Sequence, residues 1–159
     1  SIEIGTGGTA TITATHAGDV LIGSTTNTNT GLLQVDGAIS AKVHHELFTV
    51  GTIASNIVSL DLNTGTSVVT VASPGANFSL AITNALNTGN TTTGLAIIVT
   101  QASSPFIPNA LTVNGSAVTI NWLGGSAPAG TASKTEIFSF TVINTGGVFT
   151  ALGSVSTFG

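Results

Sequence analysis

With 159 residues, the chain has room for one average domain, or for a short module followed by a domain of about 115 residues. Lys42 and Lys134 are its only cations against six carboxylates, a net charge of −4. That is too few basic groups to displace counterions from phosphates, so nucleic acid and anionic membrane surfaces are excluded as partners.

Cysteine is absent, and with it disulfides, zinc–thiolate sites and thiol nucleophiles. The longest apolar stretches, such as Leu95–Val99, fall far short of the roughly twenty residues of a membrane-crossing helix. The first segment lacks the basic start and apolar centre of a signal peptide. With Ser1 first and no Met, a processed product or a fragment of something longer is expected. Thr, Ser, Asn, Gly, Val and Ile dominate, residues of pleated strands and turns, which predicts an all-β chain. Disorder is the competing reading of so polar a sequence, but 42% hydrophobic residues and 5% charged ones oppose it.

Along the chain, residues 1–17 alternate at period two, with Ile2, Ile4, Ala10, Ile12 and Ala14 set against threonines, and Gly5–Gly8 interrupting. Val20–Ile22 and Leu32–Val35 flank a polar loop, and Asp36-Gly37 turns the chain into Ala38-Ile39. About forty residues of this kind cannot bury a core alone, which predicts association of several copies. Lys42–Glu46 marks the expected junction, giving a module at 1–41 and a domain at 42–159. In that domain Ile57–Leu62 and Val68–Val71 read as a hairpin across Asn63-Thr64-Gly65, and Phe78–Ile82 as the next strand. Leu95–Gln101 is apolar at nearly every position, as in a strand covered on both faces, within the domain or by a neighbouring subunit. Leu111–Val113 and Ala117–Ile120 flank Asn114-Gly115, a type I′ hairpin signal. Ile137–Ile143 and Val148–Leu152 form a closing hairpin across Asn144–Gly147. An antiparallel β-sandwich-like domain is the expectation.

Few residues offer chemistry. Asp19, Asp36, Glu46, Asp61 and Glu136 show no arrangement of paired carboxylates for glycoside cleavage. No G-x-S-x-G elbow is present, so a non-enzymatic protein without cofactors is expected. Asp61–Gly65 is a fragment of a calcium-loop pattern without its later ligands, and a turn explains it better. His44 and His45 are adjacent, so in a strand they point to opposite faces and one chain cannot chelate with both. The candidates for recognition are the polar loop tips, with Thr25, Asn27 and Asn29 in one and Asn87 and Asn90 in another, together with the single Trp122. Hydroxyls and amides suit carbohydrate, and loops usually carry binding. The plainer readings are solvated loops and a core tryptophan.

Residues 18–40 resemble the G-(D/N)-V-L-I-G-T-T-T…L-Q-V-(D/N)-G-x-I-S module of tail fibres and other appendage proteins of tailed bacteriophages. The downstream part is similar to C-terminal domains of phage virion proteins, particularly of marine and cyanobacterial phages. Leu95–Gln101, Thr119–Pro128, Phe138–Phe140 and Gly146–Gly147 carry that likeness. Phe149 departs from it, since Trp or Tyr often follows the Gly-Gly turn there.

The resemblance implies a short fibrous N-terminal module, a homotrimer, a place in the virion, other virion proteins as neighbours and a host-surface glycan or protein as receptor. In such a trimer, copies of His44 or His45 would meet on the axis as a candidate metal site. The alternatives are a capsid-decorating or tail-scaffold protein, and a cellular secreted β-sandwich adhesin.

Overall fold

A computed structural model describes residues 48–64 and 67–159; the module at 1–41 and the junction at Lys42–Glu46 lie outside these. The expected all-β character is present. The strands are β1 (Phe48–Val50), β2 (Ile53–Ala54), β3 (Ile57–Asp61), β4 (Val68–Ala72), β5 (Phe78–Thr83) and β6 (Asn90–Thr100). They continue as β7 (Pro108–Val113), β8 (Ser116–Val118), β9 (Ile120–Trp122), β10 (Thr135–Thr145) and β11 (Val148–Phe158). One sheet has the order β1-β4-β6-β10-β11-β9 and the other β2-β3-β5-β7-β8.

The connectivity differs from the antiparallel expectation. From β3 to β7 the chain changes sheet at every step, so β4 and β6 lie side by side in parallel, as do β3, β5 and β7. Passage through the opposite sheet supplies the long crossover that parallel neighbours need. The expected hairpin of Ile57–Leu62 with Val68–Val71 is therefore an arch between sheets. Its physical cause sits at Asp61, whose Oδ1 accepts from Asn63 N at 2.9 Å while Thr64 Oγ1 donates to Asp61 O at 2.7 Å. These bonds wind Leu62–Thr64 into a 3₁₀ turn, and the backbone of β4 is paired by β1 and β6 instead.

The two later turns form where read, but the first hairpin is shorter than expected: its second strand ends at Val118, and Ile120 pairs with β11 in the other sheet. Asn114 and Gly115 have φ of 49° and 82°, and Gly146 and Gly147 have 59° and 94°, so both two-residue turns take the primed form that matches strand twist. The β10–β11 pair runs the full length from Thr145↔Val148 to Thr135↔Phe158, well past Leu152. Between β8 and β9 the chain switches sheet at Thr119.

Both sheets turn alternate residues onto one core. Val58, Leu60, Phe78, Leu80, Ile82, Leu111 and Val113 come from the five-stranded sheet, and Val69, Val71, Leu95, Ile97, Val99, Phe138, Phe140 and Val142 from the other. Full burial of each such side chain contributes about 1.5–3 kcal/mol. In β6, Leu95, Ile97 and Val99 face this core, whereas Ala96 and Ile98 on the outer face are half-buried. The second covered face foreseen for this strand is thus not supplied by the described residues.

Trp122 is half-buried against the core. Its ring meets Phe140 edge-on at 5.6 Å and Phe138 at 6.4 Å. It reaches them because Gly153, its partner in register, has no side chain. A Cβ on Gly153 would stand 2.9 Å from Trp122 Cε3 and Cζ3 and from Ile120 Cγ2. Gly153→Ala is expected to displace the indole and cost about 1–3 kcal/mol. A shifted Trp122 emission maximum and a lower urea midpoint would show it; unchanged emission would refute this packing.

Candidate functional site

Strand β10 carries a core-facing column of Glu136, Phe138, Phe140, Val142 and Asn144, apolar in the middle and polar at both ends. The two polar ends hold different loops. At the Glu136 end, the carboxylate accepts from Gln101 Nε2 at 2.7 Å, Thr131 N at 3.0 Å and Thr157 Oγ1 at 3.3 Å. Gln101 also grips the Phe106 backbone, donating to its carbonyl at 2.8 Å and accepting from its N–H at 3.0 Å. This fixes the β6–β7 connection to the segment before β10.

At the other end, Asn144 organises the loop between β5 and β6. Its Nδ2 donates to Leu86 O at 2.8 Å, and its Oδ1 accepts from Gly147 N at 2.8 Å. Asn114 holds the same loop from the opposite sheet, accepting from Ala85 N at 3.1 Å and donating to Ala85 O at 2.8 Å. Gly146 N donates to Gly89 O at 2.9 Å. Asn84, at φ 58°, donates through Nδ2 to Asp61 Oδ1 at 2.6 Å. That bond, with the Asn63 N–H, holds the Asp61 carboxyl below the usual aspartate range. Loop 84–89 is therefore anchored from four sides, yet it stays on the surface.

Leu86 is 59% exposed, Val148 across the β10–β11 turn is 69% exposed, and Asn87 and Asn90 are exposed beside them. Beneath lies a small recess lined by Leu62, Leu86, Thr91, Thr93, Asn144 and Phe149 among others, with about 10 Å³ open to a water-sized sphere, room for about one water. The surface combines apolar contact with amide and hydroxyl groups. Among the described residues Asp61 is the charge at this end; Lys134 and Glu136 belong to the other. Such a surface can hold a neutral ligand by hydrogen bonds and apolar contact, with little dependence on salt.

The candidate residues read from the sequence do not converge. Asn87 and Asn90 share this loop end. Trp122 does not: it is level with Leu95, five residues along β6 from Asn90 and three strands across, a separation of about 20 Å. Thr25, Asn27, Asn29, His44 and His45 lie outside the described residues. Within them, no three His, Cys, Asp or Glu side chains cluster, and Asp61 and Glu136 sit at opposite ends of the sheets. Sequence reasoning missed Leu86 and Val148 as exposed apolar groups of the rim, and missed Asn144 and Asn114 as the residues that fix it. The available signal was an Asn at each of the two hairpin turns.

Asn144→Ala is expected to leave Leu86 O and Gly147 N without their partners, at a cost of about 1–3 kcal/mol. Amide exchange should accelerate first around residues 84–90 and 146–148; a uniform acceleration would show that Asn144 supports the whole domain rather than this loop. Comparison with protein-family models, with curated proteins and with solved structures finds no match to this chain.

Proposed function

We propose that the chain is a structural virion protein of a tailed bacteriophage, a tail-fibre segment in which a β-sandwich-like domain displays a host-recognition surface and copies associate as a trimer. The observation that carries the recognition part is the loop at 84–89, exposed yet anchored by Asn144, Asn114, Gly146 and Asp61. A loop held in one conformation before contact loses little entropy on binding. Repetition around a fibre axis compensates for a weak single contact. The resemblance of residues 18–40 to phage appendage modules supports the virion assignment, and the near-neutral surface suits a glycan or a neutral outer-surface protein.

Antibodies against the chain should decorate tail appendages of the particles in electron micrographs. Decoration of the head would favour a capsid-decorating protein, and no decoration would remove the virion reading. Purified chain should adsorb to host cells, and Leu86→Ala with Asn87→Ala should reduce adsorption at least tenfold without altering the circular dichroism spectrum. Full adsorption by that variant would move recognition away from this loop.

A further inference from the structure

The two sheets differ in what they turn outward. Along the five-stranded sheet the outer residues are small or polar, such as Ser59, Ser79, Ala81 and Thr112, with Ile57 the exception. The outer face of the six-stranded sheet carries Phe48, Val50, Ile98, Ile137, Leu152 and Phe158 at positions set by the strand register. Val50 is 74% exposed and Leu152 47%. No charged residue of the described strands points from this face; Val68, Ile143 and Val148 add to its apolar positions, and Thr, Ser, Asn, Ala and Gly fill the rest.

Three strands of eleven residues and three flanking short ones span about 700 Å² at 3.3 Å per residue and 4.8 Å per strand. That is close to the roughly 800 Å² per partner that a stable protein interface buries. The apolar groups occupy part of this extent, interspersed with threonines and serines, and contiguous exposed apolar patches of several hundred Å² mark contact surfaces. Among the described residues no strand pairs the outer edge of β1, whose three residues are all exposed, and the parallel part of the sheet is of a kind usually covered on both faces.

From this asymmetry we infer that the outer face of the six-stranded sheet is the interface through which one copy of this chain packs against another. The inference rests on the oligomeric part of the function proposed above and assigns it a surface. A second copy is the occupant that fits. The described strands turn no charge from this face that would repel another copy or demand a partner of opposite charge, and its extent approaches that of a stable homomeric contact.

The absence of cysteine makes the test direct, because one introduced thiol is a unique probe. Full-length chain is made with Leu152→Cys or, on the opposite outer face, Ser59→Cys, and each is reacted with a maleimide while sedimentation gives the mass. The expected result is an oligomer in which Cys at 152 reacts at least tenfold more slowly than Cys at 59. In addition, Leu152→Arg should weaken association at least tenfold, whereas Ser59→Arg should leave it unchanged. An oligomer with equal thiol reactivity, or with association indifferent to Leu152→Arg, overturns this interface and leaves the oligomeric reading standing. A monomer overturns both, and slow reaction at 152 within a monomer assigns the cover to residues 1–47 of the same chain.

Discussion

Replacing Phe138 with alanine is expected to lower the unfolding free energy by about 3–5 kcal/mol, a substantial part of what a domain of this size possesses. Phe138 is fully buried at the centre of β10, between Ile97 and Val155 in register. Both sheets contribute to the cluster around it, so collapse of the cavity would require two hydrogen-bonded layers to shift together. The variant also removes one of the two rings against which Trp122 packs. Urea denaturation followed by Trp122 emission reads both effects: an earlier midpoint, and a native spectrum already displaced towards that of exposed indole. A loss below about 1 kcal/mol would mean that the core relaxes around the void, contrary to tight packing between fixed sheets.

Glu136→Ala is expected to cost about 2–4 kcal/mol through a polar route. The side chain is fully buried and each oxygen has work that alanine cannot do. Oε1 receives Thr131 N and Thr157 Oγ1, and Oε2 receives Gln101 Nε2. Thr157 can rotate its hydroxyl, but Thr131 is backbone, and the Gln101 amide is pinned by both of its bonds to Phe106. The conservative Glu136→Gln informs more sharply. An amide offers one acceptor where two are needed, so its NH₂ must face the donor of either Gln101 or Thr131, at about 1–3 kcal/mol. Chemical denaturation should rank wild type above Glu136→Gln and that above Glu136→Ala. Equality of the first two would show that one oxygen is dispensable.

Much of the secondary structure was legible because its causes are local. Period-two alternation marks β5 and β10, and Asn114-Gly115 and Gly146-Gly147 announce turns whose positive φ few other residues accept. Strand pairing was less legible. Residues 57–71 read as a hairpin because a short polar break between two β-branched runs is the same in sequence whether the second run pairs with the first or crosses to another sheet. Beside the Asp61 turn, the outcome involves β6, some twenty residues later, which offers β4 a parallel edge.

The candidate site was legible only at Asn87 and Asn90. That Leu86 stays exposed while Asn144 goes under depends on bonds between residues 58 positions apart, which no local pattern records. Glu136 was equally opaque. A carboxylate in an alternating strand belongs, by composition, to the outer face; it lies inside because Gln101, Thr131 and Thr157 converge there from three separate segments.

The alternation of the chain between sheets also bears on how the domain comes to be made. Strands β3, β5 and β7 are neighbours only after two intervening strands have been laid in the opposite sheet, and β4 acquires its second neighbour only when β6 has been synthesised. Contacts of such long sequence separation require much of the loop-closure entropy to be lost before they contribute, so folding is expected on the slow side, in the millisecond-to-second range. The β10–β11 hairpin, with its tight turn and eleven paired positions, is the part that can form from local contacts. Since it lies at the C-terminal end of the described strands, the wound strands before it leave the ribosome without the sheet partner that completes them, and the six-stranded sheet closes only after β10 and β11 have emerged.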